Sequence, residues 1–152
     1  MDIVIREAAL EDTSALSPSI REPDKLEVLT MGAPDPEEAL ATSFKLSSFR
    51  YSLLLNERVI AMFGAAPKSL FGQTATVWLL GSEEIERMKV SFIKKLCIPY
   101  LDLFLKEYPV LENWVDGRYT KSIRWLKWLG AKFDLMTKIN GIDFFHFEIR
   151  RR

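Results

Sequence analysis

One cysteine and one histidine are all this chain offers of the side chains that most often hold transition metals. A lone Cys97 excludes an internal disulfide and a cysteine-built metal site, which accords with a reducing compartment. It lies in an apolar run and reads as a small core residue. His146 sits in an alternating segment, where an ordinary sheet position is the simpler reading. With no second histidine to share a zinc site, no metal is expected. Charge of one sign is missing too: 21 basic and 21 acidic residues cancel, so no global field draws the chain to nucleic acid or an anionic membrane. No apolar run is long enough to span a bilayer, and the opening MDIVIREAAL lacks the pattern of a secretion signal. Repeats, linkers and low-complexity stretches are absent as well.

What is there suits one compact domain over residues 1–152, since 48% hydrophobic content at this length supports a sizeable core. A short strand around Ile3 and Ile5 precedes a helix start at Glu11-Asp12-Thr13, and prolines then cut the chain into short pieces. Lys25 to Met31 suits a turn or two of helix. Pro36 to Leu46 makes a better one, with proline at a first helical position and an inner face of Ala39, Leu40, Ser43, Phe44 and Leu46.

From Arg50 the period shortens. YSLLLNERVIAMFGAAP reads as two strands turning at Asn56-Glu57, and a reversal near Ser69 to Gln73 leads to a third, TATVWLLG. Ser82 to Lys106 reads as the longest helix, with Ile85, Met88, Phe92, Leu96 and Leu103 on its stripe and a bend at Pro99. A strand from Leu111, a turn at Asp116-Gly117 and a short helix closed by Gly130 come next. A last hairpin turns at Asn140-Gly141. A helix between the third meander strand and the next apolar strand permits one parallel pairing, which gives a mixed α/β sheet with helices on both faces.

This order, with VWLLGSEEIERM before the long helix and KSIRWLKWLGAKF near the end, resembles the GCN5-related N-acetyltransferase (GNAT) fold. The resemblance implies a mostly antiparallel central sheet of about six to seven strands. More narrowly, Trp114, Gly117, Ile123, Arg124, Leu126, Lys127, Gly130, Ala131 and Phe133 resemble the internal virion protein family of short-tailed phages. That family is a diverged branch of the fold.

In active members of the fold, a small-residue loop after the third meander strand cradles the pyrophosphate of CoA with backbone amides at a helix start. The matching residues here are Leu80, Gly81 and Ser82, the expected contacts if acetyl-CoA binds. Glu83, Glu84 and Glu86 then fill the first turn. Acids at a helix start stabilise it by about 0.3–1 kcal/mol each and repel a pyrophosphate, so a self-stabilised helix explains the segment better than a cofactor loop. The family's catalytic tyrosine lies four residues before the closing glycine, where its phenol protonates the departing thiolate. Leu126 stands there. Tyr119, near the helix start, is the one candidate acid that remains.

Arg118 to Trp128 interleaves basic and aromatic residues. Ser122, Ile123, Leu126 and Leu129 form the expected buried stripe, and Lys121, Arg124, Trp125 and Trp128 an adjacent interaction face. The terminal Arg150-Arg151-Arg152 would extend it. Protein partners rank above nucleic acid, because one short basic helix is a small electrostatic footprint. The resemblance therefore implies a non-catalytic, virion-associated or morphogenesis protein of a phage, without cofactor. It would contact other virion proteins or copies of itself, in the particle or the cytoplasm of an infected host. The alternatives are an acetyl-CoA-dependent N-acetyltransferase acting on an amine and a nucleic-acid-binding accessory protein.

Overall fold

The computed structural model describes residues 2–151, with the side chain of Val90 left out; Arg152, the last of the terminal arginines, lies outside the described residues. The chain gathers into two compact units, Met1–Ala66 with Trp78–Arg87, and Pro67–Val77 with Met88–Arg152.

In the first unit β1 (Ile3–Glu7) pairs antiparallel with β2 (Phe49–Leu55), and β2 with β3 (Arg58–Pro67). The β2–β3 turn is the expected one. Asn56 and Glu57 both sit at positive φ (49° and 71°), the geometry that matches the twist of a two-residue hairpin. Between β1 and β2 lie α1 (Glu11–Leu16), a 3-10 turn at Ser17–Ser19, α2 (Glu22–Thr30) and α3 (Pro36–Leu46). The start of α3 shows why its sequence folds as read: the Asp35 carboxylate accepts the Glu38 N–H at 2.8 Å, and Pro36 comes directly after the cap. Leu16, Leu40 and Met62 are fully buried in this unit's core, with Ile20, Phe44, Trp78 and Leu80 packed against them.

Next come β4 (Thr74–Gly81) and a single helical turn, α4 (Glu83–Glu86). The longest helix, α5, runs only from Val90 to Glu107, so the helix expected over Ser82–Lys106 is broken at Arg87–Lys89. Ser82 is pinned by its N–H to the Ile60 carbonyl at 2.8 Å, and its hydroxyl caps α4 through the Glu84 N–H at 3.3 Å. Ile85 buries beneath that turn. The three non-helical residues shift the phase of α5: its residues Ile93, Cys97, Leu101, Phe104 and Leu105 are buried, whereas Phe92 and Leu103, expected on the inner stripe, are exposed.

The second unit continues with β5 (Val110–Asp116), α6 (Thr120–Trp128), β6 (Lys132–Ile139) and β7 (Ile142–Arg150). The strands form a seven-stranded sheet in the order β1-β2-β3-β4-β5-β7-β6. Its parallel pair joins Thr74–Thr76 of β4 to Val110–Glu112 of β5. Gly130 closes α6 at φ 97°, so that the Gly130 and Ala131 amides reach back to the Lys127 and Leu126 carbonyls at 3.1 and 3.0 Å. Asn140 and Gly141, at φ 50° and 79°, turn β6 into β7 as expected. β7 inserts between β5 and β6, and one extra residue, Asp134, interrupts the β6–β7 register between Phe133 and Leu135.

Candidate functional site

Leu80 and Gly81 close β4 and Ser82 follows as the cap of α4, and their surroundings leave little to offer an anion. The Gly81 N–H donates to the Asp24 carboxylate at 2.9 Å, the Ser82 N–H to Ile60, and the Ile85 N–H to the Ser82 carbonyl at 3.1 Å. A Cβ at Gly81 would meet Ile85 Cγ2 at 2.7 Å, so this glycine serves packing. Asp24 also accepts from Arg21 Nε at 2.8 Å. Burial pushes the Asp24 carboxyl up against the downward pull of Arg21 and the Gly81 amide. The residues expected to cradle a pyrophosphate therefore do not fit that group. The acids are also placed differently from the expectation. Glu83, Glu84 and Glu86 belong to α4, whereas α5 has no acid in its first turn and starts after Lys89.

The interaction residues read on α6 divide. Lys121 and Arg124 are exposed, and Trp128 is 49% exposed with the Lys94 ammonium 5.6 Å from its ring centroid. Trp125 is half-buried, with its Nε1 enclosed and without a hydrogen-bond partner among the described residues. Of the expected stripe, Leu129 is buried, while Ser122, Ile123 and Leu126 are half-buried. Arg150 and Arg151, read as a possible extension of this face, have partners of their own. Arg150 pairs with Glu148 at 2.7 Å, and Arg151 donates to the Leu105 and Lys106 carbonyls at 2.7 Å each.

Tyr119 is half-buried just before α6, with the Arg118 guanidinium 5.6 Å from its ring centroid. The turn before it is fixed by Asp116, which is fully buried and accepts the Arg118 N–H at 2.9 Å and its guanidinium at 2.7 Å. Burial raises this carboxyl, and Arg118 more than offsets it, so it ionises below the usual carboxylate range. Gly117 leaves room for the Phe145 ring, which a Cβ would meet at 2.5 Å.

The group that sequence reading passed over is built around His146. Its Nδ1 lies 2.7 Å from Asp134 Oδ1 and its Nε2 3.0 Å from Glu112 Oε2, while Lys68 bonds the other Glu112 oxygen. The imidazole is buried, and the Trp114 ring stands 5.0 Å from it at 58°. Burial lowers its pKa, but the two carboxylates outweigh that and raise it above the ordinary histidine value. Burial raises Glu112, and Lys68 and His146 outweigh it in turn. One signal was available: DFFHFEI places a histidine where the alternation calls for a core residue, and such a residue needs partners.

Residues 57–136 match the family described as "Bacteriophage T7, probable scaffold protein Gp13". No curated protein matches the chain. Among solved structures, the ribosomal-protein-S18-alanine N-acetyltransferase from Escherichia coli is similar at a TM-score of 0.71 and 13% identity, over 98% of this chain and 94% of that one. The PaiA N-acetyltransferase from Thermoplasma acidophilum in complex with coenzyme A is similar at 0.72 and 15% identity, over 99% and 100%. A GNAT-family acetyltransferase from Streptococcus pneumoniae is similar at 0.67 and 12% identity, over 98% and 99%. At these identities the likeness establishes the GNAT fold and leaves the chemistry to the residues.

Proposed function

From the premise that the chain belongs to the bacteriophage T7 probable scaffold protein Gp13 family, we propose a non-catalytic component of virion assembly that acts through protein contacts. The observation that carries this reading is Leu126, a half-buried leucine four residues before Gly130, where the resemblance places a proton donor. The engaged amides of Gly81 and Ser82 support it. So do large apolar side chains left in water: Leu70 and Phe71 are 94% and 98% exposed, and Trp128, Leu135 and Met136 are exposed as well. The partners are other virion proteins or copies of this chain, in the particle or the infected cell. Among the described residues no helix is long and apolar enough to cross a membrane.

Calorimetry with acetyl-CoA tests the chemical half, and no heat of binding is expected. Saturable one-to-one binding would overturn it. The assembly half is tested by co-expression with the structural proteins of the encoding phage, then cross-linking and mass spectrometry. Cross-links should converge on the exposed lysines of α6, Lys121 and Lys127, and their absence from every structural protein would remove this half.

A second reading, an acyl-CoA-dependent N-acetyltransferase, has one observation in its favour: the long helix starts without acids and after a basic residue, Lys89. Tyr119 would then be the candidate acid. Transfer of labelled acetyl to an amine, abolished in Tyr119→Phe, would establish it.

A further inference from the structure

β6 and β7 bring two carboxylates and an imidazole to one spot. A ring nitrogen of His146 and one oxygen each of Asp134 and Glu148 lie within 4.8 Å of one another. We infer that Asp134, His146 and Glu148 form a binding site for a divalent first-row transition ion such as zinc, held by His146 Nδ1 and one oxygen of each carboxylate. This departs from the expectation of no metal, which rested on the single histidine and left carboxylate ligands out.

The donor set is the first ground. One imidazole with two carboxylates suits zinc, manganese or iron better than calcium or magnesium, which take oxygen donors. Orientation is the second. A metal-ligating histidine almost always gives its other ring N–H to a carboxylate, a backbone carbonyl or water, which fixes the tautomer. Here Glu112 accepts from Nε2 at 3.0 Å and is itself held by Lys68, and Trp114 walls the ring on one side.

Access is the third ground. The histidine side chain is 9% exposed, but Asp134 is 47% and Glu148 24% exposed, so the carboxylate side opens to water. Three protein ligands with solvent completing the shell is the arrangement of open zinc sites. The ion enters in place of the Nδ1 proton, which leaves to solvent, and the Nδ1–Asp134 hydrogen bond becomes a shared ligand edge. Two cations compete. Arg150 pairs with Glu148 through Oε2, leaving its other oxygen for the ion, and Lys132 lies across the register from Glu148.

The test is titration of the full-length, chelator-treated protein with Co2+, read by visible absorption and by thermal shift. Ligand-field bands saturating at one equivalent are expected, with Zn2+ displacing the cobalt and millimolar Mg2+ leaving it in place. Asp134→Asn, at an exposed position that folding tolerates, should abolish the bands while circular dichroism stays unchanged. Glu112→Ala should weaken binding by about tenfold or more through the freed imidazole. Equal displacement by Mg2+ would mark a diffuse acidic patch and overturn the site. So would wild-type spectra in Asp134→Asn, or no bands at all.

Discussion

Asp12 and Asp24 in the first unit are buried, whereas the carboxylates around His146 in the second are open to water, and the two sets serve different ends. In the first unit Asp12 accepts the Ala9 N–H at 2.8 Å, the Ser52 hydroxyl at 2.8 Å and the Arg6 guanidinium at 2.8 and 3.0 Å; Asp24 accepts the Gly81 N–H and Arg21. Each is tied to a backbone amide, so it fixes the path of the chain. Around His146 the bonds run from side chain to side chain, Lys68 to Glu112 to His146 to Asp134, and end at a half-exposed group. A buried carboxylate tied to an amide is spent on the fold, as Asp116 also is in the second unit. One that meets a titratable side chain at an exposed position keeps a proton or an ion within reach.

The sharpest way to break this contrast is Asp24→Ala, which leaves the Arg21 guanidinium only its 3.5 Å contact with Glu86 and takes the acceptor from the Gly81 amide. It should cost roughly 3–5 kcal/mol in chemical denaturation. Asp24→Asn, which keeps an acceptor for the amide, should cost clearly less. A loss of equal size in both variants would show that the charge, not the amide, is what Asp24 serves. Asp116→Ala should rank next at about 1.5–3 kcal/mol, since it removes a charge-assisted bond to Arg118 and an amide partner in the β5–α6 turn.

The pH dependence separates the carboxylates from the histidine by sign. Burial raises Asp12, but Arg6, the Ala9 amide and Ser52 outweigh it, so Asp12, like Asp116 and Glu112, has a lowered folded pKa. Their stabilisation is present above the unfolded value of about 4 and is lost as pH falls through the folded values. His146 runs the other way. With its folded pKa raised, its contribution is full below about 6.5 and fades as pH rises through the folded value. Thermal unfolding across pH, in the presence of a chelator, should therefore show losses at both ends. His146→Gln should remove the alkaline loss and Asp12→Asn should shrink the acid one.

The smallest effects belong to α6. Trp128→Ala should change stability by no more than about 0.5 kcal/mol while reducing capture of a partner. Trp125→Phe, which removes an indole N–H enclosed without an acceptor, should be close to neutral. A large loss in the first variant would place Trp128 in the core and withdraw it from the binding face.

Local chemistry made most of the fold legible. Asn56-Glu57, Asn140-Gly141, Pro36 and Gly130 each mark a turn or terminus whose backbone geometry few other residues accept, and each stands where it was expected. The break at Arg87–Lys89 was not legible, because the apolar spacing continues across it and only the pinning of Ser82 reveals it. The His146 group was hidden for a different reason. Glu112 and Asp134 stand 34 and 12 residues away from the histidine, and they meet it only through the insertion of β7 between β5 and β6. Hydrophobic alternation marks which residues face inward and is silent on which strand will lie alongside.

The irregularity at Asp134 gives that group an unusual genetic status. Lys132 and Phe133 pair with Glu148 and Phe147, and Leu135 onward pairs from His146, so Asp134 is surplus to the ladder. Deleting its codon would leave every other β6–β7 pairing with its present partner and face. A one-codon deletion is therefore expected to remove the carboxylate beside His146 while the far-ultraviolet circular dichroism of the sheet stays as it is.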